Sequence, residues 1–151
     1  MKIVELDAGH GGDPISDRGF SGSGYEQNEG VNNFLTCKLI KAYLEARYIV
    51  EVRMTRDNVT DYPTIAQRGV MAQGADFLYS RHSNASSDKT VRGTEIWYSK
   101  INKEFADNAS KTIADFFGHP WRNKYAKPGA DIDGTAKVEG FMIINHAIKN
   151  G

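Results

Sequence analysis

The stretch that decides the fold stands at the start of the chain: Lys2-Ile3-Val4-Glu5-Leu6-Asp7-Ala8-Gly9-His10-Gly11-Gly12. Lys2 to Asp7 has the pattern of a short strand, and a glycine-rich loop from Ala8 to Gly24 follows it. Glycines let the backbone turn sharply and leave the imidazole of His10 uncrowded. Ligand sites of open α/β sheets collect just past such strand ends. A lone loop histidine is more often incidental, so His10 needs support from elsewhere in the chain.

A second strand end repeats this arrangement. Phe77 to Arg81 predicts a buried strand, and Ser80-Arg81-His82-Ser83-Asn84-Ala85 continues into a histidine followed by small polar residues. Two such histidines converge if their strands are neighbours. With a carboxylate they would form a zinc site of two imidazoles and one glutamate, with an open position for water. Two strand-end histidines in so short a chain favour this site over two satisfied surface histidines.

Two glutamates compete for the third ligand position, Glu26 and Glu29, both near the start of the first predicted helix. At helical spacing from Glu29, five residues fall where a helix that packs on the sheet needs them: Asn33, Phe34, Cys37, Ile40 and Leu44. The same spacing from Glu26 places Gly30 and Lys41 there. Glu29 is therefore the better choice, and the other glutamate would serve a capping box or the helix dipole.

Strands and helices alternate along the rest of the chain. The other predicted strands are Ile49–Met54 and Gly93–Ser99, and the predicted helices are Asn32–Ala46, Asp61 or Thr64 to about Gln73, Asn102–Phe117 and Glu139–Lys149. We expect the helix Asn102–Phe117 to bury Phe105, Ala109, Ile113, Phe116 and Phe117, and Trp121–Thr135 to form a surface loop. This order predicts one α/β domain over residues 1–151, a largely parallel twisted sheet with helices on both faces. The helix stop at Asn150-Gly151 leads us to expect that the last strand is missing.

Composition limits the function classes. The 19 basic and 19 acidic side chains balance, so there is no basic field to attract nucleic acid or anionic lipid. No stretch approaches the roughly 20 apolar residues that a membrane span needs. Met1 leads directly into a strand without a signal peptide, so we expect synthesis in the cytoplasm. Cys37 is the only cysteine and is interpreted as a small buried hydrophobe, which leaves nitrogen and oxygen ligands for any metal.

Taken together, these motifs resemble the zinc-dependent N-acetylmuramoyl-L-alanine amidases, in the type 3 catalytic domain shared by bacterial autolysins and phage endolysins. The matching stretches are Asp7 to Gly12, Glu29 with Asn33, Met54-Thr55-Arg56-Asp57, Arg68 with Ala72, Ala75 to Ala85, and Gly93-Thr94-Glu95. The resemblance implies zinc ligands at His10, Glu29 and His82. It also implies hydrolysis of the amide between muramic acid and L-alanine in peptidoglycan. We assign Asn84 to substrate binding, and we expect Arg56 and Arg68 to form structural salt bridges.

One part of the family pattern has no match. The family carries a further glutamate, the general acid and base, on a strand after its last helix, and we expect it past Gly151. Glu139 and Glu95 are poor substitutes by position. The alternative to an amidase is therefore a non-catalytic peptidoglycan-binding remnant of the same fold; a different zinc hydrolase, such as a peptidase, is a third possibility. Because Met1 begins no signal peptide, we expect an amidase of the phage endolysin type, since such enzymes accumulate in the cytoplasm until a pore releases them.

Overall fold

The computed structural model describes residues 1–11, 19, 28–83, 88, 90–98, 103–121 and 127–128. These residues divide between two compact units, one within Met1–Ala85 and one within Ser86–Asn145. The predicted helix Glu139–Lys149 and most of the predicted loop Ala8–Gly24 lie outside the described residues. No helix in the described part of the chain is both long and apolar enough to cross a membrane.

The first unit is built on a parallel sheet of three strands. Strand β1 (Lys2–Ala8) lies between β2 (Val50–Met54) and β3 (Phe77–Arg81), and both pairings are parallel. Each strand agrees with its predicted range to within one residue at either end. Helix α1 (Glu29–Arg47) connects β1 to β2, and α2 (Ile65–Met71) connects β2 to β3. Parallel neighbours need such crossovers, and their carboxyl ends then lie at the same edge of the sheet.

The core of this unit lies between the sheet and α1. Leu6 and Ala8 of β1 and Val52 of β2 are buried against Phe34 and Cys37 of α1. Burial raises the pKa of the Cys37 thiol to about 12, because the low-dielectric core disfavours the thiolate. The interpretation of Cys37 as a small buried hydrophobe is therefore confirmed.

Helix α1 begins three residues earlier than predicted. The side chain of Asn28 accepts a hydrogen bond from the backbone N–H of Val31 at 3.0 Å, which makes Asn28 the N-cap. The first turn contains Glu29 and Gly30, so the apolar spacing on which the prediction relied does not extend into it. The cap sets this helix end, and it places Glu29 in the first turn.

The opposite face of β1 carries two buried carboxylates, Glu5 and Asp7. Asp7 accepts hydrogen bonds from Thr55 Oγ1 at 2.8 Å and from Ser80 Oγ at 2.6 Å. The guanidinium of Arg68, on α2, lies 3.9 Å from the same carboxylate. Helices thus reach both faces of the sheet, which confirms the α/β class, and the predicted structural salt bridge of Arg68 is present.

Arg56 is buried in a different way from the one expected. Its guanidinium donates to the backbone carbonyls of Gly30 at 2.6 Å and Val59 at 3.3 Å, and it lies over the ring of Phe34. Among the described residues, the partners of this planar cation are carbonyl oxygens and an aromatic face, in place of the predicted salt bridge. Arg56 thereby fastens the segment after β2 to the first turn of α1.

The second unit contains helix α3 (Lys103–Phe117) and a short parallel pair, β4 (Trp97–Tyr98) and β5 (Lys127–Pro128). Strand β5 lies inside the segment Trp121–Thr135, which was predicted to be a loop throughout. The predicted apolar stripe of α3 is also wrong in its largest members: Phe105, Phe116 and Phe117 are 51%, 82% and 62% exposed. The buried positions are the small residues Ala106, Ser110 and Ala114, and Trp121 donates its indole N–H to Ser110 Oγ at 3.0 Å.

Glu5 makes the stability of the protein depend on pH. Burial raises the pKa of its carboxyl from 4.5 to about 7, opposed by Arg53, whose Nε lies 3.2 Å from Glu5 Oε2. The neighbouring Asp7 raises the pKa further and Lys41 lowers it. Between these two pKa values the folded chain keeps a proton that the unfolded chain releases. Stability from this group is therefore complete below pH 4.5 and is lost as the pH rises to about 7.

We expect the Glu5→Gln variant to lose less stability than the wild type on going from pH 5 to pH 8. The difference in the free energy of unfolding should be about 2–3 kcal/mol, because glutamine does not ionise. Urea unfolding across this pH range measures it. Glu51→Gln, on the exposed face of β2, is the control and should follow the wild type. Parallel pH curves for wild type and Glu5→Gln would contradict this expectation.

Candidate metal centre

The two strand-end histidines meet because their strands are neighbours. His10 follows β1 by two residues and His82 follows β3 directly, and these strands are parallel partners. The backbone N–H of Gly9 extends the pairing past the last strand residue, with a 3.0 Å hydrogen bond to the carbonyl of Arg81. The rings of His10 and His82 lie edge to face, 4.8 Å apart between their centroids. The predicted convergence of the two histidines is present.

Glu29 completes the group from the first turn of α1. Its Oε1 atom lies 3.4 Å from His10 Nε2 and 3.5 Å from His82 Nδ1. One potential ligand atom of each residue lies within 4.8 Å of those of the other two. Glu29 therefore stands beside both histidines; Glu26 lies outside the described residues.

The donor set fits a zinc ion, and so do the two distances measured from the carboxylate of Glu29. Imidazole nitrogen and carboxylate oxygen bind zinc at about 2.0–2.1 Å, which places neighbouring ligands of a tetrahedron about 3.3–3.4 Å apart. The two distances from Glu29 Oε1 to the histidine nitrogens, 3.4 and 3.5 Å, are close to this edge length. Two imidazoles and one carboxylate are also a ligand set of catalytic zinc sites, which keep a fourth position for water.

Exposure differs across the three residues in a way that leaves the group accessible. The side chain of Glu29 is 5% exposed, whereas those of His10 and His82 are 26% and 40% exposed. The carboxylate thus forms the floor of the site and the imidazoles form its rim. A small molecule or a polymer end can reach the histidines from solvent.

Two donors hold the carboxylate of Glu29 in place. The backbone N–H of Ser83 donates to Oε1 at 2.7 Å, and the side-chain amide of Asn33 lies 3.5 Å from the same atom. The bond from Ser83 joins the segment after β3 directly to α1. A charge-assisted hydrogen bond of this kind is stronger than one between neutral groups, so the carboxylate and the His82 loop are oriented together.

The backbone around His10 is shaped for close approach. His10 itself has φ of 62°, in the left-handed region that few residues other than glycine adopt. A Cβ at Gly9 would lie 2.3 Å from the ring of His82, and one at Gly30 would lie 2.1 Å from the carbonyl oxygen of Gly11. The glycines at these two positions let the histidine loop pack directly against His82 and the start of α1.

An apolar groove adjoins this loop. The ring of Tyr62 packs against Gly11, so closely that a Cβ there would lie 2.5 Å from Tyr62 Cδ2. The groove runs from Tyr62 along one side of α2 and encloses about 540 Å³; it is lined by Tyr62, Pro63, Ala66, Gln67, Val70 and Met71. It meets this loop at Gly11, the residue after His10, and none of the three candidate ligands is among its lining residues.

Sequence reasoning missed the residues that orient the ligands. The backbone N–H of Ser83 carries no side-chain signal, and Asn33 was noted only for its position. A usable signal existed for Asn33, because residues four apart on a helix share a face. Asn84 lies outside the described residues, so its assignment to substrate binding stays a prediction. The catalytic glutamate expected past Gly151 also stays a prediction.

Comparison with known proteins identifies the family. Residues 4–144 match the family model described as N-acetylmuramoyl-L-alanine amidase. An endolysin of Bacillus phage SPP1 is 38% identical over 86 residues, which make up 56% of this chain and only 30% of the endolysin.

Solved structures agree with this assignment. The catalytic domain of CwlV, an N-acetylmuramoyl-L-alanine amidase from Bacillus (Paenibacillus) polymyxa var. colistinus, superposes with a TM-score of 0.74 at 25% identity, over 99% of this chain and 93% of that one. An N-acetylmuramoyl-L-alanine amidase from Clostridium difficile 630 gives a TM-score of 0.67 at 28% identity, over 78% and 64%. With the family model matching most of its length, this chain belongs to the N-acetylmuramoyl-L-alanine amidase family.

Proposed function

We propose that this chain is a zinc-dependent amidase that hydrolyses the bond between N-acetylmuramic acid and L-alanine in peptidoglycan. The observation that carries the proposal is the convergence of His10, Glu29 and His82, with a carboxylate oxygen 3.4–3.5 Å from both imidazoles. Family membership supports the choice of bond. The similarity to a phage endolysin supports action on a bacterial wall after endolysin-like release.

The roles of the residues follow from their positions. His10, Glu29 and His82 would hold the ion, which supplies an acidified water and a polarised carbonyl when it is bound. Ser83 and Asn33 fix the carboxylate of Glu29, so its lone pair is aimed before any metal arrives. The exposed imidazole rim admits the substrate, and the Tyr62 groove offers an apolar surface where it meets Gly11, the residue after His10.

The direct test is the release of new N-terminal alanine from purified peptidoglycan. Wild-type protein with zinc should release it, a chelator should stop the release, and the Glu29→Ala variant should fall to the level of a protein-free blank. Glu45→Ala, which removes an exposed carboxylate from the same helix, is the control and should keep wild-type activity.

Each alternative predicts a different result in this assay. A chain that pulls down with peptidoglycan but releases no alanine is the non-catalytic wall-binding domain. Fragments that begin at another residue of the stem peptide would identify a peptidase, and mass analysis of the products distinguishes them. Release that survives both the chelator and Glu29→Ala would overturn the assignment of the site.

A further inference from the structure

Asn33 occupies a position that core packing alone does not explain. It lies one turn after Glu29 on α1 and is completely buried. Among the described residues, no donor reaches its side-chain oxygen Oδ1. An unsatisfied buried acceptor costs stability, and an apolar side chain of similar size would avoid that cost. The reason for an asparagine must therefore lie with its other atom, the amide nitrogen.

That nitrogen contacts two parts of the candidate metal centre. Asn33 Nδ2 donates to the carbonyl oxygen of Gly9 at 3.1 Å and lies 3.5 Å from Glu29 Oε1. One amide group carries two N–H bonds and can serve both acceptors at once. A carboxylate in its place would repel both oxygens.

The contact with Gly9 extends the influence of Asn33 to both histidines. The carbonyl of Gly9 belongs to the peptide that enters His10, whose backbone is held at a φ of 62°. The other side of Gly9 faces the ring of His82, and its N–H is bonded to Arg81. Orienting this one peptide therefore sets the position of His10 and the space available to His82.

We propose that Asn33 is a positioning residue for the metal centre. Its amide holds the carboxylate of Glu29 and the peptide between Gly9 and His10 in fixed relation, so that all three ligand atoms are arranged before the metal binds. Asn33 raises metal affinity without touching the metal. The inference rests on the proposed function only in taking zinc as the ion.

The test separates metal affinity from fold stability. Zinc affinity is measured by competition with a chromophoric chelator, and the stability of the metal-free protein is measured by urea unfolding in EDTA. We expect Asn33→Ala to bind zinc about 10–100 times more weakly, the range typical for loss of a group that orients a metal ligand. Asn33→Leu keeps the branching and the number of side-chain heavy atoms and leaves no empty space, so it tests the same loss if the alanine variant unfolds.

Cys37→Ala is the matched control, because Cys37 is equally buried, lies one turn further along α1 and contacts the core. Cys37→Ala should be less stable than the wild type by the same amount in zinc and in EDTA. Its zinc affinity should stay within a few-fold of the wild type. Wild-type affinity in both Asn33 variants, or an equal loss in Cys37→Ala, would overturn the proposal. So would a wild-type protein that binds no zinc, whereas zinc binding without alanine release would contradict only the proposed function.

Discussion

Zinc should stabilise the wild-type protein by about 4 kcal/mol when free zinc reaches 1,000 times its dissociation constant. The three proposed ligands lie in the loop after β1, in α1 and in the loop after β3, and only the folded chain brings them within 4.8 Å of one another. The His82→Ala variant has lost one of the three. An affinity loss of 100-fold would reduce the stabilisation to about 1.4 kcal/mol at the same free zinc. Loss of a direct ligand should weaken affinity by more than 100-fold, so the stabilisation of His82→Ala should be smaller still.

Urea unfolding with buffered zinc, and again with EDTA, measures the effect without relying on catalysis. His119→Ala is the control, since His119 is exposed and lies outside the candidate centre; it should keep the full stabilisation. The thiol of Cys37 is fully buried in the core, away from solvent. Equal stabilisation of wild type and His82→Ala would show that zinc binds elsewhere.

The strand ends were predictable because strong patterns specify them. Both strands were found at their predicted places, although β3 is half-buried and not buried as predicted. The rule that ligand sites follow strand ends then places His10 and His82 at one edge. Helix periodicity then selected Glu29 over Glu26. These signals depend on single side chains at fixed spacing, which a sequence displays directly.

The remaining features depend on atoms that the sequence does not display. The positive φ of His10 follows from the packing of Gly9 against His82 and of Gly11 against Gly30. The carboxylate of Glu29 is held by a backbone N–H, which every residue except proline possesses. Hydrogen bonding of this kind is decided by tertiary contact, so residue type gives no warning of it.

Helix α3 shows the opposite failure, in which a clear pattern misleads. Its phenylalanines suggested the buried face, yet Ala106, Ser110 and Ala114 are buried while Phe105 and Phe116 are exposed. Small residues permit close approach but contribute little to a hydrophobic pattern. The prediction, which relied on the large apolar side chains, therefore assigned the wrong face of α3 as the buried one.

Loss of the Asp7 carboxylate should destabilise the protein more than any other single change considered. Asp7 is fully buried and accepts hydrogen bonds from Thr55 and Ser80, so it joins the carboxyl ends of all three strands. It also faces the buried guanidinium of Arg68 at 3.9 Å. The Asp7→Ala variant should lose about 3–5 kcal/mol of unfolding free energy, because it removes one charge partner of the buried Arg68 and leaves the hydroxyls of Thr55 and Ser80 without this acceptor.

The comparison with Arg68→Met and the double variant identifies the cause of that loss. If the ion pair dominates, the double variant should be more stable than Asp7→Ala, since no buried cation is left facing the vacated carboxylate position. If the hydroxyl contacts dominate, the losses should add.

The exposed pair of Lys41 and Glu45 is the control for this prediction: Glu45→Ala should change stability by less than about 0.5 kcal/mol. An Asp7→Ala variant no less stable than Glu45→Ala would show that the carboxylate does not brace the strand ends. Because these ends carry His10 and His82, Asp7→Ala that still folds should also bind zinc more weakly, which links the buried face of the sheet to the chemistry at its edge.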